Sequence, residues 1–364
     1  MKIGILTFHC AHNYGAVLQC YGLQEALKAM GHDVQVIDYR PDYLWKPYKV
    51  FNIQRFRTNS LYELLKLVAK ETILLPNRIK RHRAFDDFIK KRFNLSHSIT
   101  QQDIPSCYDV YVMGSDQIWN PKITKGFDQV YFGYFSFQKA NKKYVAYAAS
   151  MESTKLEPNS INFLLKSLNN FDAISVREMQ LAEQLHSLTG KKIETVLDPT
   201  LLVDHSIWNK IAIEPLKKKG YVLVYQIRMD TNVMHIADSI ANQLNTHVIE
   251  ITGNLTFQFN NRKRVQYASP EEFLGLIKNA ACILTTSFHG TAFSVIFNRP
   301  FYCIALNDGY DTRSQSLLAS IGLEHRIIGK NDMPVFSTID YDNGINDCIM
   351  NMRAASMQFL QENL

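Results

Sequence analysis

Short apolar runs alternate with stretches of helical apolar spacing along this chain, and they do so twice, on either side of a polar junction near residue 220. Lys2–Phe8 is an apolar run short enough for a buried strand. His12-Asn13-Tyr14-Gly15 is a turn. Ala16–Met30 then spaces Ala16, Leu18, Leu23, Ala26, Leu27 and Met30 as a helix does, and Gly31 ends it. Val34–Asp38 is the next strand. Strand, turn, helix and strand in succession start a parallel α/β unit, because parallel neighbours need a crossover connection.

The same reading predicts strands at Asp109–Met113, Lys143–Ser150, Asp172–Val176 and Glu194–Leu197, with helices at Ser160–Leu168 and Arg177–Leu188. A second series follows Lys217-Lys218-Lys219-Gly220, which reads as a linker. It has strands at Tyr221–Ile227, His247–Ile251, Ala281–Thr285 and Phe301–Ala305. Helices are expected at Asn232–Leu244, at Pro270–Ala280, after His289-Gly290 as far as Asn298, and at Ser314–Ile321. A length of 364 residues suits two domains of ordinary size. The fold class expected is therefore α/β, two Rossmann-like doubly wound domains facing across a cleft. Residues 1–215 would form the N-terminal domain and 220–345 the C-terminal one, with a terminal helix at 346–364 packing back.

Residues 46–92 interrupt the first series. This stretch carries 13 Lys or Arg against 4 Asp or Glu, in a chain whose net charge is +6. Two amphipathic helices are expected in it, one marked by Leu61, Leu64, Leu65 and Val68, the other by Phe85, Phe88 and Ile89. Such a run serves as a solvated face, or attracts an anionic partner such as lipid headgroups or a diphosphate. Nucleic acid is not expected, since neither RNP-like aromatics nor zinc-finger spacing occur.

Composition closes other classes. Hydrophobic residues at 46% and charged residues at 20% exclude wholesale disorder. No apolar run approaches the roughly 20 residues that span a bilayer. The start, Met1-Lys2-Ile3-Gly4-Ile5-Leu6, lacks a secretory pattern, so a cytoplasmic location is expected. The six cysteines form no CxxC pair, which argues against a zinc knuckle and for reduced thiols. No metal site is expected, and Asp340-Tyr341-Asp342 is taken as a loop.

In doubly wound sheets ligands bind beyond the carboxyl ends of the strands, so the turns there are the candidate sites. Asn13-Tyr14-Gly15 opens a helix, whose N-terminus favours an anion. It is neither GxGxxG nor a P-loop, which disfavours dinucleotide binding. Gly114-Ser115-Asp116-Gln117-Ile118-Trp119-Asn120-Pro121 packs polar groups and a Trp at a strand end. That suits a polyhydroxylated ligand, and Ser115 and Asp116 would serve equally as helix caps. Ser287-Phe288-His289-Gly290-Thr291 places a His beside helix N-terminal amides, where it would transfer a proton or bind phosphate. Arg177, Arg228 and Arg313 follow strands or start helices, and an Arg there clamps a carboxylate or phosphate, or pairs with a neighbour such as Glu178.

At these turns the chain resembles the polysaccharide pyruvyl transferase family. The matching segments are Asn13-Tyr14-Gly15-Ala16-Val17-Leu18-Gln19, Gly114 to Pro121, Ser175-Val176-Arg177-Glu178, Leu197-Asp198-Pro199-Thr200 and Ser287-Phe288-His289-Gly290-Thr291-Ala292-Phe293-Ser294. The resemblance implies a GT-B-like fold, phosphoenolpyruvate as donor and co-substrate with no other cofactor, and a pyruvate ketal on two hydroxyls of a sugar in a cell-surface polysaccharide or its precursor. It implies that Arg177 holds the donor and that His289 is the general acid or a donor-phosphate ligand. Asp116 would handle the acceptor hydroxyl or orient His289. Asn13, Gly15, Ser287 and Gly290 would lie at the donor, and Ser115, Trp119 and Asn120 at the acceptor. Other members carry Arg where this chain has Ser287, so Arg313 or Arg228 would supply a second donor cation. Arg177 and His289 would then meet in one pocket from opposite lobes. The acceptor would be free or built on a lipid diphosphate, with 46–92 as a peripheral contact at the inner membrane face. The alternative enzyme reading is a GT-B glycosyltransferase using a nucleotide sugar; a saccharide-binding module without catalysis is the third.

Overall fold

A computed structural model describes residues 1–56, 58, 60–99, 103–151, 158–215, 220–253, 255, 263–306 and 311–364. Lys217 to Lys219, where the linker is expected, lie outside the described residues.

Two parallel sheets organise the chain. The first contains β1 (Lys2–Leu6), β2 (Asp33–Val36), β3 (Val110–Asp116), β4 (Lys143–Ala149), β5 (Ala173–Val176) and β6 (Glu194–Thr195), in the order β2-β1-β3-β4-β5-β6. The second contains β7 (Val222–Gln226), β8 (Val248–Thr252), β9 (Lys263–Val265), β10 (Cys282–Thr285), β11 (Phe301–Ala305) and β12 (Ile327–Gly329), in the order β12-β11-β10-β7-β8-β9. Each is a Rossmann-like domain, and the pair is the GT-B-like arrangement. Every residue of β3, β7, β10 and β11 is buried, as expected of parallel strands covered by helices on both faces. Strand order reverses at β1/β3 in one sheet and at β7/β10 in the other. Both switch points open crevices beyond the strands' carboxyl ends.

The domains are bound tightly to each other. Helix α1 (Tyr14–Ala29) is buried on nearly all sides. Its Tyr14 ring stacks on Phe273 of the second domain at 4.4 Å, and the Tyr14 hydroxyl donates to the Ala268 carbonyl at 3.0 Å. Trp208 packs edge-on against Phe293 at 5.1 Å.

The basic stretch differs from expectation. It forms one helix, α2 (Leu61–Arg92), rather than two. Pro76 lies inside it and has no N–H for the carbonyl four residues back, a defect that costs about 3 kcal/mol in a helix interior. The helix continues because Leu74, Arg81, Phe85, Phe88 and Ile89 are buried. Leu61, Leu65, Val68 and Ile73 face solvent instead.

Three further helices position the site. Helix α3 (Phe288–Ile296) follows β10, and α4 (Thr312–Ser320) follows β11. Helix α5 (Ile345–Asn363) runs back over the first domain. There Ser356 Oγ accepts from the Leu197 amide at 2.9 Å, and Arg353 donates to the Leu201 carbonyl at 2.9 Å. All six cysteines are free thiols. No described helix is long and apolar enough to cross a membrane.

Candidate functional site

A cavity of about 440 Å³ lies between the domains. Asn13 follows β1, Asp116 ends β3, Arg228 follows β7 and His289 follows β10, so all four strands of the two switch points contribute to it. Arg313 from α4 completes the wall. Helices α1 and α3 both begin here. The Asn13 side chain accepts from the Ala16 amide at 3.3 Å, and Ser287 Oγ accepts from the Gly290 amide at 3.3 Å. Two capped N-termini aimed into one cavity favour an anion in it.

Behind this cavity an ionic relay crosses the domain boundary. Asp198, which closes the first domain's last crossover, is fully buried. It accepts a 2.6 Å contact from Arg177 through Oδ2, and the same oxygen lies 3.7 Å from His289 Nε2. The second distance is that of an ion pair, not of a hydrogen bond, and Nε2 has no hydrogen-bond partner among the described residues. Arg177 reaches on to Asp116 Oδ1 at 3.4 Å. Ser115 Oγ donates to Asp198 Oδ2 at 3.3 Å, and the Thr200 amide donates to Oδ1 at 2.9 Å. Burial alone would raise the Asp198 carboxyl. His289 and Arg177 outweigh it and hold the group well below the usual carboxylate range. Burial would likewise lower the Arg177 guanidinium, and the carboxylates of Asp198, Asp116 and Glu178 reverse that.

His289 sits directly on Gly15. A Cβ at residue 15 would lie 2.0 Å from His289 Nδ1. The absent side chain is what lets the second domain's imidazole enter against the first domain's helix start.

Two cations face the cavity itself. Arg228 is tied to Asp311 at 2.6 Å. Arg313 has no carboxylate within 4.0 Å among the described residues. Its two terminal nitrogens lie 2.7 and 2.9 Å from the end of the Gln117 amide, which accepts from both once its oxygen is turned that way. Burial, and then the neighbouring Arg177 charge, push Arg313 down to about 10. It stays charged at neutral pH, but it is under-compensated and ready for an anion.

The residues singled out in the sequence divide in two. Asn13, Asp116, Arg228, Ser287, His289 and Arg313 line one cavity. The others do not. Arg177 and His289 converge on the Asp198 carboxylate from two openings: His289 lines this cavity, while Arg177, engaged by two acids, lines a neighbouring one of about 430 Å³ with Asp198 and Arg313. Ser115 is fully buried, with its hydroxyl spent on Asp198 and the Ala148 carbonyl. Trp119 is a core residue. It is fully buried, stacks on Phe132 at 5.4 Å, and donates from Nε1 to the Tyr131 carbonyl at 3.2 Å, so it offers no platform to a sugar. Asn120 caps the turn that follows it by accepting from the Lys122 amide at 3.0 Å. Gly15 and Gly290 serve packing. The Gly290 amide is used by the Ser287 cap, and a Cβ there would meet Thr285 Oγ1 at 2.2 Å. Glu178 accepts from Ser150 and is not paired with Arg177.

Asp198 and Gln117 do not stand out in the sequence as site residues. Both stand inside the segments that carry the resemblance, which is the signal that would have found them. Locally, Asp198-Pro199-Thr200 reads as a helix cap, and it is one as well.

The sequence model of a family described as polysaccharide pyruvyl transferase matches residues 13–308. No curated protein matches the chain. Among solved structures, a UDP-GlcNAc 2-epimerase from Neisseria meningitidis bound to UDP-GlcNAc is 10% identical, with a TM-score of 0.49 over 99% of this chain and 92% of that one. A UDP-GlcNAc 2-epimerase from Methanocaldococcus jannaschii is 14% identical, with a TM-score of 0.47 over 98% and 93%. The glycosyltransferase SnogD from Streptomyces nogalater is 12% identical, with a TM-score of 0.44 over 98% and 95%.

Proposed function

The chain belongs to the polysaccharide pyruvyl transferase family, and we propose that it moves the pyruvyl group of phosphoenolpyruvate onto two hydroxyls of a sugar, forming a ketal. The observation that carries this reading is Arg313. An under-compensated guanidinium stands beside His289 in a cavity that two helix N-termini also face. Phosphoenolpyruvate is a small, highly charged anion, and this is the environment it needs.

The chemistry follows from the residue types. Arg313 and Arg228 hold the donor's phosphate and carboxylate. Protonation of the enol methylene by His289 makes a methyl group and leaves the adjacent carbon electrophilic. One sugar hydroxyl adds to that carbon and gives up its proton, with Asp116 as the acceptor of the proton. The bond to the phosphate oxygen then breaks, and the second hydroxyl takes its place. Its proton leaves with the phosphate. One ketal and one inorganic phosphate form per donor. Asp198, held by Arg177, stabilises the imidazolium that donates the first proton, in the way a buried carboxylate orients a catalytic histidine.

The site of action follows from the substrate. The reading puts the protein in the cytoplasm at the inner membrane face, where surface polysaccharide precursors are built. Solvent-facing Leu61, Leu65, Val68 and Ile73 on the basic helix α2 support peripheral contact. Sedimentation with liposomes that is indifferent to anionic lipid would remove that part.

Thermal stabilisation tests the donor. Ligand at about 100 times its dissociation constant adds roughly 2.7 kcal/mol. Phosphoenolpyruvate raises the melting temperature in this account, and UDP or GDP sugars do not raise it as donors. Stabilisation by the nucleotide sugars alone, with sugar transfer, would favour the glycosyltransferase alternative.

A further inference from the structure

Among the described residues, the donor atoms of His12, His82 and Asp86 lie within 4.8 Å of one another. His82 and Asp86 stand at i and i+4 on α2, a spacing that puts both on one helix face. His12 comes from the turn after β1, and its Nε2 is 3.3 Å from Asp86 Oδ1. His82 Nδ1 is 3.2 Å from Asp86 Oδ2. Two ligands of a tetrahedral zinc ion, each roughly 2.0–2.1 Å from it, stand about 3.3–3.4 Å apart. Both separations fit that edge. The His12 ring is fixed in place: it stacks on Phe85 at 5.2 Å, packs against Tyr48 at 5.3 Å and is 7% exposed. The side chains of His82 and Asp86 are each 30% exposed, so an ion in solution can reach them. The sequence leads to no metal site because His12 stands far from His82 along the chain and no ligand motif joins them.

The surroundings decide which cation fits. Glu71 engages Arg78 at 2.7 Å and Arg55 at 3.4 Å. Arg81 is buried and spends its guanidinium on backbone oxygens, donating to the carbonyls of His12 at 3.1 Å and Gln266 at 3.2 Å. Lys70 lines the opening of about 550 Å³ that His12 and His82 also line. Mg²⁺ and Ca²⁺ seek roughly six to eight oxygens, and here they would find one carboxylate among positive charges. A zinc-type ion bonds strongly to imidazole, is content with three protein ligands, and takes water or an anion in the fourth position. The opening leaves room for that fourth ligand, and its basic walls favour hydroxide or another anion there.

From this geometry we infer that His12, His82 and Asp86 hold a zinc-type divalent cation, which ties α2 to the turn after β1. The tie bears on the donor cavity. Asn13 follows His12, caps α1 and lines that cavity, and Tyr48, packed on the His12 ring, lines it too. The ion is thus a clamp on the cavity wall. It takes no part in the proton transfers given to His289 and Asp116, and it stands independently of the pyruvyl-transfer reading.

The test is titration of the chelator-treated protein with Co²⁺ alone, read by visible absorption, followed by displacement with Zn²⁺ and calorimetric melting. The variants are His82→Ala and Asp86→Asn, with His205→Ala as a control that removes an exposed histidine beside Asp204. The wild type and His205→Ala take up one Co²⁺ per chain, with d–d bands and without the near-ultraviolet charge transfer that a thiolate ligand gives. Zn²⁺ displaces the cobalt and raises the melting temperature of both. His82→Ala and Asp86→Asn each bind at least about 100-fold more weakly, since loss of a mere supporting group already costs roughly 10–100-fold. Their metal-free melting temperatures, measured alongside, show that the fold is intact, and Zn²⁺ leaves those temperatures where they are. A wild type that binds no Co²⁺, or binding unchanged in both His82→Ala and Asp86→Asn, overturns the site. Binding lost in His205→Ala, or a cobalt spectrum with thiolate charge transfer, places the metal on other residues and overturns it as well.

Discussion

Gly15→Ala puts a methyl carbon 2.0 Å from His289 Nδ1, 2.4 Å from Cγ and 2.5 Å from Cε1. Non-bonded carbon contacts settle near 3.5 Å, so the ring must retreat by roughly 1.5 Å or the two helices must part by as much. Neither move is easy. His289 is 5% exposed and Gly15 is buried in α1. Overpacking of this kind costs about 1–3 kcal/mol, from which the better helix propensity of Ala returns roughly 1 kcal/mol. The fold therefore survives with a modestly lower melting temperature. Turnover suffers more, because a displacement of about 1 Å at the reacting centre costs on the order of 10²-fold. The assay is phosphate release from phosphoenolpyruvate with a sugar acceptor, alongside calorimetric melting. Wild-type turnover at a wild-type melting temperature would refute the placement of His289 as the proton donor.

Arg313→Gln is expected to abolish stabilisation by phosphoenolpyruvate while leaving the apo melting temperature unchanged or higher, since a charge with no carboxylate within 4.0 Å among the described residues is removed; retained ligand stabilisation would contradict this. Asp198→Asn strips Arg177 of its nearest acid and should cost about 3–5 kcal/mol at neutral pH. The native Asp198 carboxyl lies well below its ordinary value of 3.8, so its contribution is full above that value and begins to be lost as pH falls below it, progressively toward the lower native value. Urea melts from pH 7 down to pH 3 should show wild-type stability falling and the variant falling less; equal slopes would count against the relay. Trp119→Phe is expected to leave the acceptor KM unchanged and to lower stability, by a cavity and an unmet Tyr131 carbonyl, and a raised KM would return Trp119 to the acceptor site.

Much of the fold was legible because its central strands are continuous apolar runs. β7, β10 and β11 are buried along their whole length, and burial on both faces writes itself into the sequence. β9 and β12 have three residues each at the sheet edges, too few for any period to register. Helix α2 reads as two in the sequence because its apolar residues fall into two groups, Leu61 to Val68 and Phe85 to Ile89, and burial of Phe85, Phe88 and Ile89 against distant segments carries it past Pro76. The turns around Asn13, Asp116 and Ser287-His289 were legible from their place at strand ends. The division of labour inside them was not. Trp119 stands in a polar turn and looks like a sugar platform, yet Phe132 and Phe171, from other segments, enclose it. Arg177 looks like a free clamp until Asp198 is brought to it, and Asp198 looks like a cap until His289 of the other domain arrives. Local pattern reports which residues sit at a strand's end. Only the folded chain decides which charges are already spent.

The central claim is that the cavity around His289 and Arg313 joins an enol phosphate to a sugar. Mass spectrometry of a diphosphate-linked sugar incubated with the protein and phosphoenolpyruvate measures this outright. The account predicts an acceptor heavier by one pyruvate less one water, one phosphate released with it, and neither signal from His289→Ala. An acceptor left unchanged by phosphoenolpyruvate but extended by a sugar from a nucleotide donor would contradict it.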